Sequence, residues 1–262
     1  MTIDNQKTFA LSVSKVKTYQ ICKAKYKFTY LDKLPRQEWD FQIFGKFLHE
    51  VLENFHITII DGTNDKDHVI MKQAFHDALL NWSHKLTSEQ KAECYEIAAA
   101  YLKTRRHKAL PVVLDVEREF SLSLRDDLLL NGFIDVVQKD PDGMLHVADY
   151  KTSKSKSYLK KDLLQLKTYA YVVMCDDSSI DRIRCSYVML KHNFDKIEKE
   201  FDRDEIMQIK EEFIDYADKI RSEKLYRPSP TPLCKTCDYL GICEPGKDRM
   251  GLGKISFGEV EW

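Results

Sequence analysis

Two aspartates and a lysine fall where a single strand pair would present them together. In GFIDVVQKDPDGMLHVADYKT, the run Asp140-Pro141-Asp142-Gly143 has Pro where a type I turn needs a fixed φ and Gly where a left-handed residue must follow. This pattern predicts a hairpin loop closed by a glycine bulge, with Asp140 paired to Met144. Extending the register sets Asp135 opposite Asp149, with Cβ atoms about 5 Å apart on one face. Lys151, two residues beyond Asp149, shares that face. Opposed carboxylates repel, and apolar neighbours such as Phe133, Val137 and Val147 raise the cost of their charge. A divalent cation relieves both, and hard oxygen ligands suit Mg2+ or Mn2+. A lysine beside a phosphate held there can neutralise developing charge or position an attacking water. The same spacing also fits a wet face on which Lys151 bridges two acids, because a one-residue slip of register reverses the faces.

Three further side chains can join this group. His49 lies beside the apolar stripe of a helical segment, with Gly45 and Glu53 one turn away on either side. Gln165 and Tyr169, four residues apart, share one helix face. Each has a plain structural reading when taken singly, and their weight comes from acting together. A separate constellation is Cys234, Cys237 and Cys243, spaced C-x2-C-x5-C, which leaves a tetrahedral metal site one ligand short. Of the other cysteines, Cys94, Cys175 and Cys185 read as small buried hydrophobes. Cys22, among polar neighbours near the amino terminus, is the candidate fourth ligand. It would clip the two ends of the chain together, a long-range closure. The spacing alone fits zinc and matches neither common ferredoxin pattern.

The elements that must carry these residues follow from periodicity. In FQIFGKFLHEVLENF, Phe41, Phe44, Leu48, Val51 and Phe55 form one helical stripe. Residues 67–85 and 88–106 read as further amphipathic helices, the second capped by Thr87 or Ser88. After Pro111 the pattern turns to short segments rich in Val, Leu and Ile. VVLDVEREFSLSL, LLLNGFIDVVQK and MLHVADYKT are three expected strands. A helix is expected over 157–174. IRCSYVMLKHN follows as a strand with Ile183, Cys185, Tyr187 and Met189 on one face, and KIEKEFD as a short return strand. A long helix over 204–224 precedes an irregular end. Strands embraced by helices place the chain in the α/β class.

Taken in order, FGKFLHEVLE with His49, GFID with Asp135, DYKT with Asp149 and Lys151, and QLKTYAY with Gln165 and Tyr169 resemble the RecB-like branch of the PD-(D/E)XK nuclease superfamily. Ile134 stands where many members have Pro, and Asp149 where many have Glu; both are usual in the RecB-like branch. The upstream Cys22 followed by C-x2-C-x5-C, in the context SVSKVKTYQICKAKYKFTYL, further resembles iron–sulfur nucleases related to AddB and to CRISPR-associated RecB-like exonucleases. The resemblance implies a restriction-endonuclease-like central mixed sheet flanked by helices, with an amino-terminal helical region and an Fe–S-stapled carboxyl end. It implies one nuclease domain over 1–262: a helical region over 1–110, the core over 111–202, and the long helix and cysteine region over 203–262. It also implies Mg2+ or Mn2+ held by His49, Asp135, Asp149 and the carbonyl of Tyr150. Lys151 would assist the water, Gln165 and Tyr169 would orient lysine or substrate, and Cys22, Cys234, Cys237 and Cys243 would bind [4Fe–4S]. The expected activity is hydrolysis of DNA from single-stranded ends, in DNA repair, recombination, CRISPR adaptation or bacteriophage replication. A non-cleaving DNA-binding scaffold and a zinc-stapled interaction module are the alternatives.

Composition limits the means of reaching DNA. The 262 residues hold 41 basic and 42 acidic side chains, a net charge of −1, so bulk charge cannot drive binding and local patches must. Lys23, Lys25 and Lys27 alternate with Tyr26, Phe28 and Tyr30, a mixture suited to gripping phosphates while stacking bases. Lys103, Arg105, Arg106 and Lys108 read as a solvated face, whereas Lys154, Lys156, Lys160 and Lys161 directly follow Lys151. There is no P-loop, so a helicase partner would have to supply unwinding. No run approaches the length of a membrane span, and MTIDNQKTFA lacks a signal peptide's apolar stretch. A cytoplasmic protein with no membrane partner is expected, and in that reducing compartment the seven cysteines are not expected to form disulfides.

Overall fold

A computed structural model describes residues 8–106 and 109–252, so Lys108 of the second basic patch lies outside the described residues. A short strand β1 (Phe9–Leu11) leads into α1 (Val13–Ile21) and α2 (Lys23–Tyr26). Three helices follow: α3 (Asp40–Ile60), α4 (Asp67–Trp82) and α5 (Ser88–Thr104). The Thr87 side chain caps α5 by accepting the N–H of Gln90 at 3.2 Å. The strands β2 (Val112–Arg125), β3 (Leu128–Lys139) and β4 (Leu145–Lys151) come next, then α6 (Leu164–Asp176). The chain continues through β5 (Arg182–Met189), β6 (Asp195–Asp202), α7 (Arg203–Met207) and α8 (Ile209–Ser222). Two 3-10 turns, Pro232–Thr236 and Leu240–Ile242, carry the late cysteines before α9 (Glu244–Arg249).

The strands form one mixed sheet in the order β1-β3-β4-β5-β6, with β2 antiparallel to β3. Helices cover both faces. On one side α1, α6 and α8 pack on the sheet, and Ile183, Cys185, Tyr187 and Met189 all point into this core, as their alternation predicts. On the other side α3, α4 and α5 pack on Val136, Ala148, Tyr150 and Val188. β3 pairs with β2 along its length, so β1 and β4 share its other edge. There β1 pairs only with 128–130 and β4 only with 136–139, which leaves 131–135 without a strand partner on that edge among the described residues.

The structure departs from expectation where tertiary contacts override local pattern. The helix expected from residue 157 starts at Leu164, because Leu159 is buried and the Asp162 carbonyl accepts the Tyr187 hydroxyl at 3.1 Å, holding that segment in turns. The expected long helix breaks at Gln208 into α7 and α8. Phe41, expected in the buried stripe, is exposed, and Cys175 is exposed in the last turn of α6. Among the described residues, no helix is long and apolar enough to cross a membrane.

Candidate functional site

The hairpin forms in the expected register. The Asp140 N–H donates to the Met144 carbonyl at 2.9 Å, Gly143 takes φ 87°, and the ladder runs from Lys139↔Leu145 to Val136↔Ala148. It stops one pair short of the two aspartates. At that point a carboxylate oxygen of Asp135 accepts the N–H of Tyr150 at 2.8 Å, so a side chain takes over from the strand. Asp149, on the next strand, is buried. Gln165 Nε2 donates to its Oδ1 at 2.8 Å, the Tyr169 hydroxyl lies 3.4 Å from the same oxygen, and the Lys151 ammonium pairs with Oδ2. Gln165 and Tyr169 meet at 2.7 Å, as their spacing on α6 predicts.

His49 comes to the same place from α3. A Cβ on Gly45, one turn earlier, would sit 3.1 Å from Thr152 Oγ1, so the glycine lets the helix approach the end of β4 closely. His49 Nε2 donates to the Tyr150 carbonyl at 3.0 Å, which leaves Nδ1 facing Asp135 Oδ2 at 3.4 Å. Burial holds the imidazole below its ordinary pKa, so Nδ1 offers a lone pair. Burial, and then Asp149, hold the Asp135 carboxyl well above the usual range. Burial also works to lower the pKa of Lys151, but Asp149 and Asp135 outweigh it, and the ammonium stays charged.

Glu117 is a residue that sequence reasoning missed. One ligand atom each from His49, Glu117 and Asp135 lies within 4.8 Å of the others. Burial, reinforced by Glu53 and Asp149, raises the pKa of Glu117. Its φ of 45° lies in the left-handed region, which costs a non-glycine residue about 1–3 kcal/mol. The pleat is interrupted at the same level. Leu128, Leu130 and Ile134 face one core and Val136 the other, while on β2 Phe120 faces the first core and Val116 the second. The flanking pairs Val116↔Val136 and Arg118↔Ile134 put Glu117 across from Asp135. The strain turns two acids toward one point beside His49. Asp149 stays on the α6 side, held by Lys151 and Gln165, and the structure groups it with those residues.

Cys22, Cys234, Cys237 and Cys243 line one cavity of about 280 Å3 between α2 and the carboxyl-terminal turns. The Ser229 N–H approaches Cys22 Sγ at 3.4 Å, and the Thr231 N–H approaches Cys234 Sγ at 3.4 Å. A Cβ on Gly246 would lie 3.3 Å from Cys243 Sγ. Cys94 and Cys185 are buried elsewhere, as expected. The amino-terminal basic and aromatic run is partly engaged within the fold. Tyr26 is in the core, Lys23 pairs with Glu223, and Lys27 pairs with Asp32. In the third patch Lys156 pairs with Asp195, whereas Lys154, Lys160 and Lys161 are exposed.

The family model of the PD-(D/E)XK nuclease superfamily matches residues 10–244. The chain is similar to one subunit of the ATP-dependent helicase/deoxyribonuclease of Streptococcus pyogenes serotype M49 (strain NZ131), at 27% identity over 125 residues. The corresponding subunit from serotype M6 (strain ATCC BAA-946 / MGAS10394) is 28% identical over 125 residues. Each match covers 45% of this chain and 11% of the relative, so the chain spans about a tenth of the length of these proteins. In fold it is similar to the crystal structure of a provisionally assigned exonuclease from Eubacterium rectale. That likeness has a TM-score of 0.51 at 10% identity and covers 89% of this chain and 88% of the other.

Proposed function

The chain belongs to the PD-(D/E)XK nuclease superfamily, and from that premise we propose that it is a RecB-like, metal-dependent DNA exonuclease acting on single-stranded ends. The observation that carries the reading is the convergence of His49, Glu117 and Asp135 beside the Asp149–Lys151 pair. One imidazole nitrogen and two carboxylate oxygens suit a hard divalent cation, and the raised pKa of Asp135 marks a charge conflict that such a cation relieves. His49, Glu117 and Asp135 would hold Mg2+ or Mn2+, with Asp149 and the Tyr150 carbonyl completing the set. When bound, the cation offsets charge on the scissile phosphodiester and eases deprotonation of the attacking water.

The chain's own residues do the rest. Lys151, kept charged by its two acidic neighbours, donates to a phosphate oxygen as negative charge builds there. Gln165 and Tyr169 fix the Asp149 carboxylate and so aim the lysine. Exposed Lys154, Lys160 and Lys161 bind the phosphates that follow along the strand.

We further propose that the four cysteines hold [4Fe–4S] as a structural staple, as in AddB-related and CRISPR-associated nucleases. The shared cavity and the close approach at Gly246 fit a bulky group. The chain would then act as one nuclease domain, with a helicase or a recombination, CRISPR or phage replication partner supplying unwound DNA. End-labelled single- and double-stranded DNA, incubated with Mn2+ and with blocked ends as controls, tests this. Release of nucleotides from free single-stranded ends supports the reading, and indifference to blocked ends overturns the exonuclease assignment.

A further inference from the structure

The interruption on the shared edge of β3 is a gap in the sheet at residues 131–135, and it opens beside the candidate site. A groove of about 470 Å3 occupies it, bounded by Ser14 at the start of α1, by Gln165 and Tyr169 of α6, and by Asp135 at its inner end. That volume lies within the ~300–1,000 Å3 usual for clefts that hold small organic ligands. Gly132 lets the Phe120 ring lie flat against the strand at the groove's floor, since a Cβ there would lie 2.5 Å from that ring.

Two side chains at the groove present a surface or a polar atom that the fold does not use. Phe133 is 53% exposed although it sits mid-strand, two residues from the half-buried carboxylate of Asp135. Asn131 accepts the Ser121 hydroxyl on Oδ1 at 3.0 Å, which leaves its Nδ2 without a protein partner among the described residues. A flat ring beside a free amide donor suits a nucleobase, which stacks by its face and accepts hydrogen bonds at its edge.

We propose that this gap seats one unpaired nucleotide of the DNA strand, next to the scissile phosphate, with its base against Phe133. The inference rests on the nuclease reading for the position of that phosphate. A base in duplex must leave its stack and partner to enter such a slot, so the gap favours frayed or single-stranded ends over paired ones. Phe133 and Asn131 thereby become specificity residues of the site.

The test uses short single strands carrying 2-aminopurine at one position, moved stepwise along the sequence, with Ca2+ replacing the catalytic cations. The full chain should quench the probe several-fold at one position near the cleaved end. That quenching should vanish in Phe133→Ala, persist in Phe133→Tyr, and be absent with duplex. Because the ring is largely exposed, circular dichroism of Phe133→Ala should match the parent. Uniform quenching along the strand, or equal quenching in Phe133→Ala, overturns the proposal. Cleavage with Mn2+ is read in parallel. Stacking without cleavage supports the subsite and overturns the nuclease reading, while cleavage without stacking overturns the subsite alone.

Discussion

Acidification is expected to weaken the fold through one imidazole that cannot accept a proton in place. His56 is buried on α3; its Nε2 meets the Tyr101 hydroxyl at 2.9 Å and the Tyr150 hydroxyl at 3.2 Å, while Nδ1 is buried with no partner among the described residues. Burial, followed by the charge of Arg105, lowers its pKa from 6.5 to about 3. The unfolded chain therefore takes up a proton below pH 6.5 that the folded chain refuses. Stability from this group is complete above 6.5 and is lost as pH falls toward 3. At about 1.4 kcal/mol per pH unit, moving from pH 7 to pH 5 costs roughly 2 kcal/mol through His56. Asp135 works in the opposite sense, since its raised pKa makes the folded chain hold a proton more readily. The measurement must therefore be a difference. Urea denaturation of the parent and of His56→Gln at the two pH values should show the parent losing about 2 kcal/mol more than the variant. Equal losses would refute the buried neutral imidazole.

Other perturbations probe other parts of the account. Glu117→Gln should weaken Mn2+ binding at least about tenfold by calorimetric titration while leaving the melting transition unchanged or higher, since a cation ligand and an acid–acid conflict are removed together. Unaltered Mn2+ affinity would remove Glu117 from the site. Gly132→Ala forces a methyl into the Phe120 ring and should cost about 1–3 kcal/mol in urea unfolding; a neutral effect would mean that the ring moves aside freely. Cys243→Ser should lose iron and visible absorption relative to an anaerobically prepared parent. A colourless parent with one zinc per chain would contradict the iron–sulfur proposal.

The parts legible in the sequence were those governed by strong local rules. The DPDG turn specifies its own register, so the strand pairing that brings Asp135 toward Asp149 and Tyr150 follows from four residues. The helical repeat of α3 places His49, and the spacing of Gln165 and Tyr169 makes them neighbours. Glu117 was hidden by a bulge. With Arg125 paired to Leu128, a regular ladder would bring Arg118 opposite Asp135, but the shift between Ser123 and Arg125 moves the pairs from Ser123 to Asp115 by one and substitutes Glu117. No local pattern marks such a bulge, nor the left-handed φ of Glu117 elsewhere on the same strand. Tyr26 misled for a related reason. Its polar neighbours suggest a surface, yet its ring lies 6.2 Å from that of Tyr226, a contact made 200 residues later in the chain. The strand β1 has only three residues, too few for alternation to register.

The central claim is that Lys151 supports phosphodiester hydrolysis at a cation held by its neighbours. Its most direct test is the cleavage rate of end-labelled single-stranded DNA by Lys151→Ala, with bound Mn2+ measured on the same sample. The account predicts a loss of at least about 100-fold, similar to removing one charge-stabilising donor elsewhere, with cation content retained. Cleavage at the parental rate by the pure variant would contradict it.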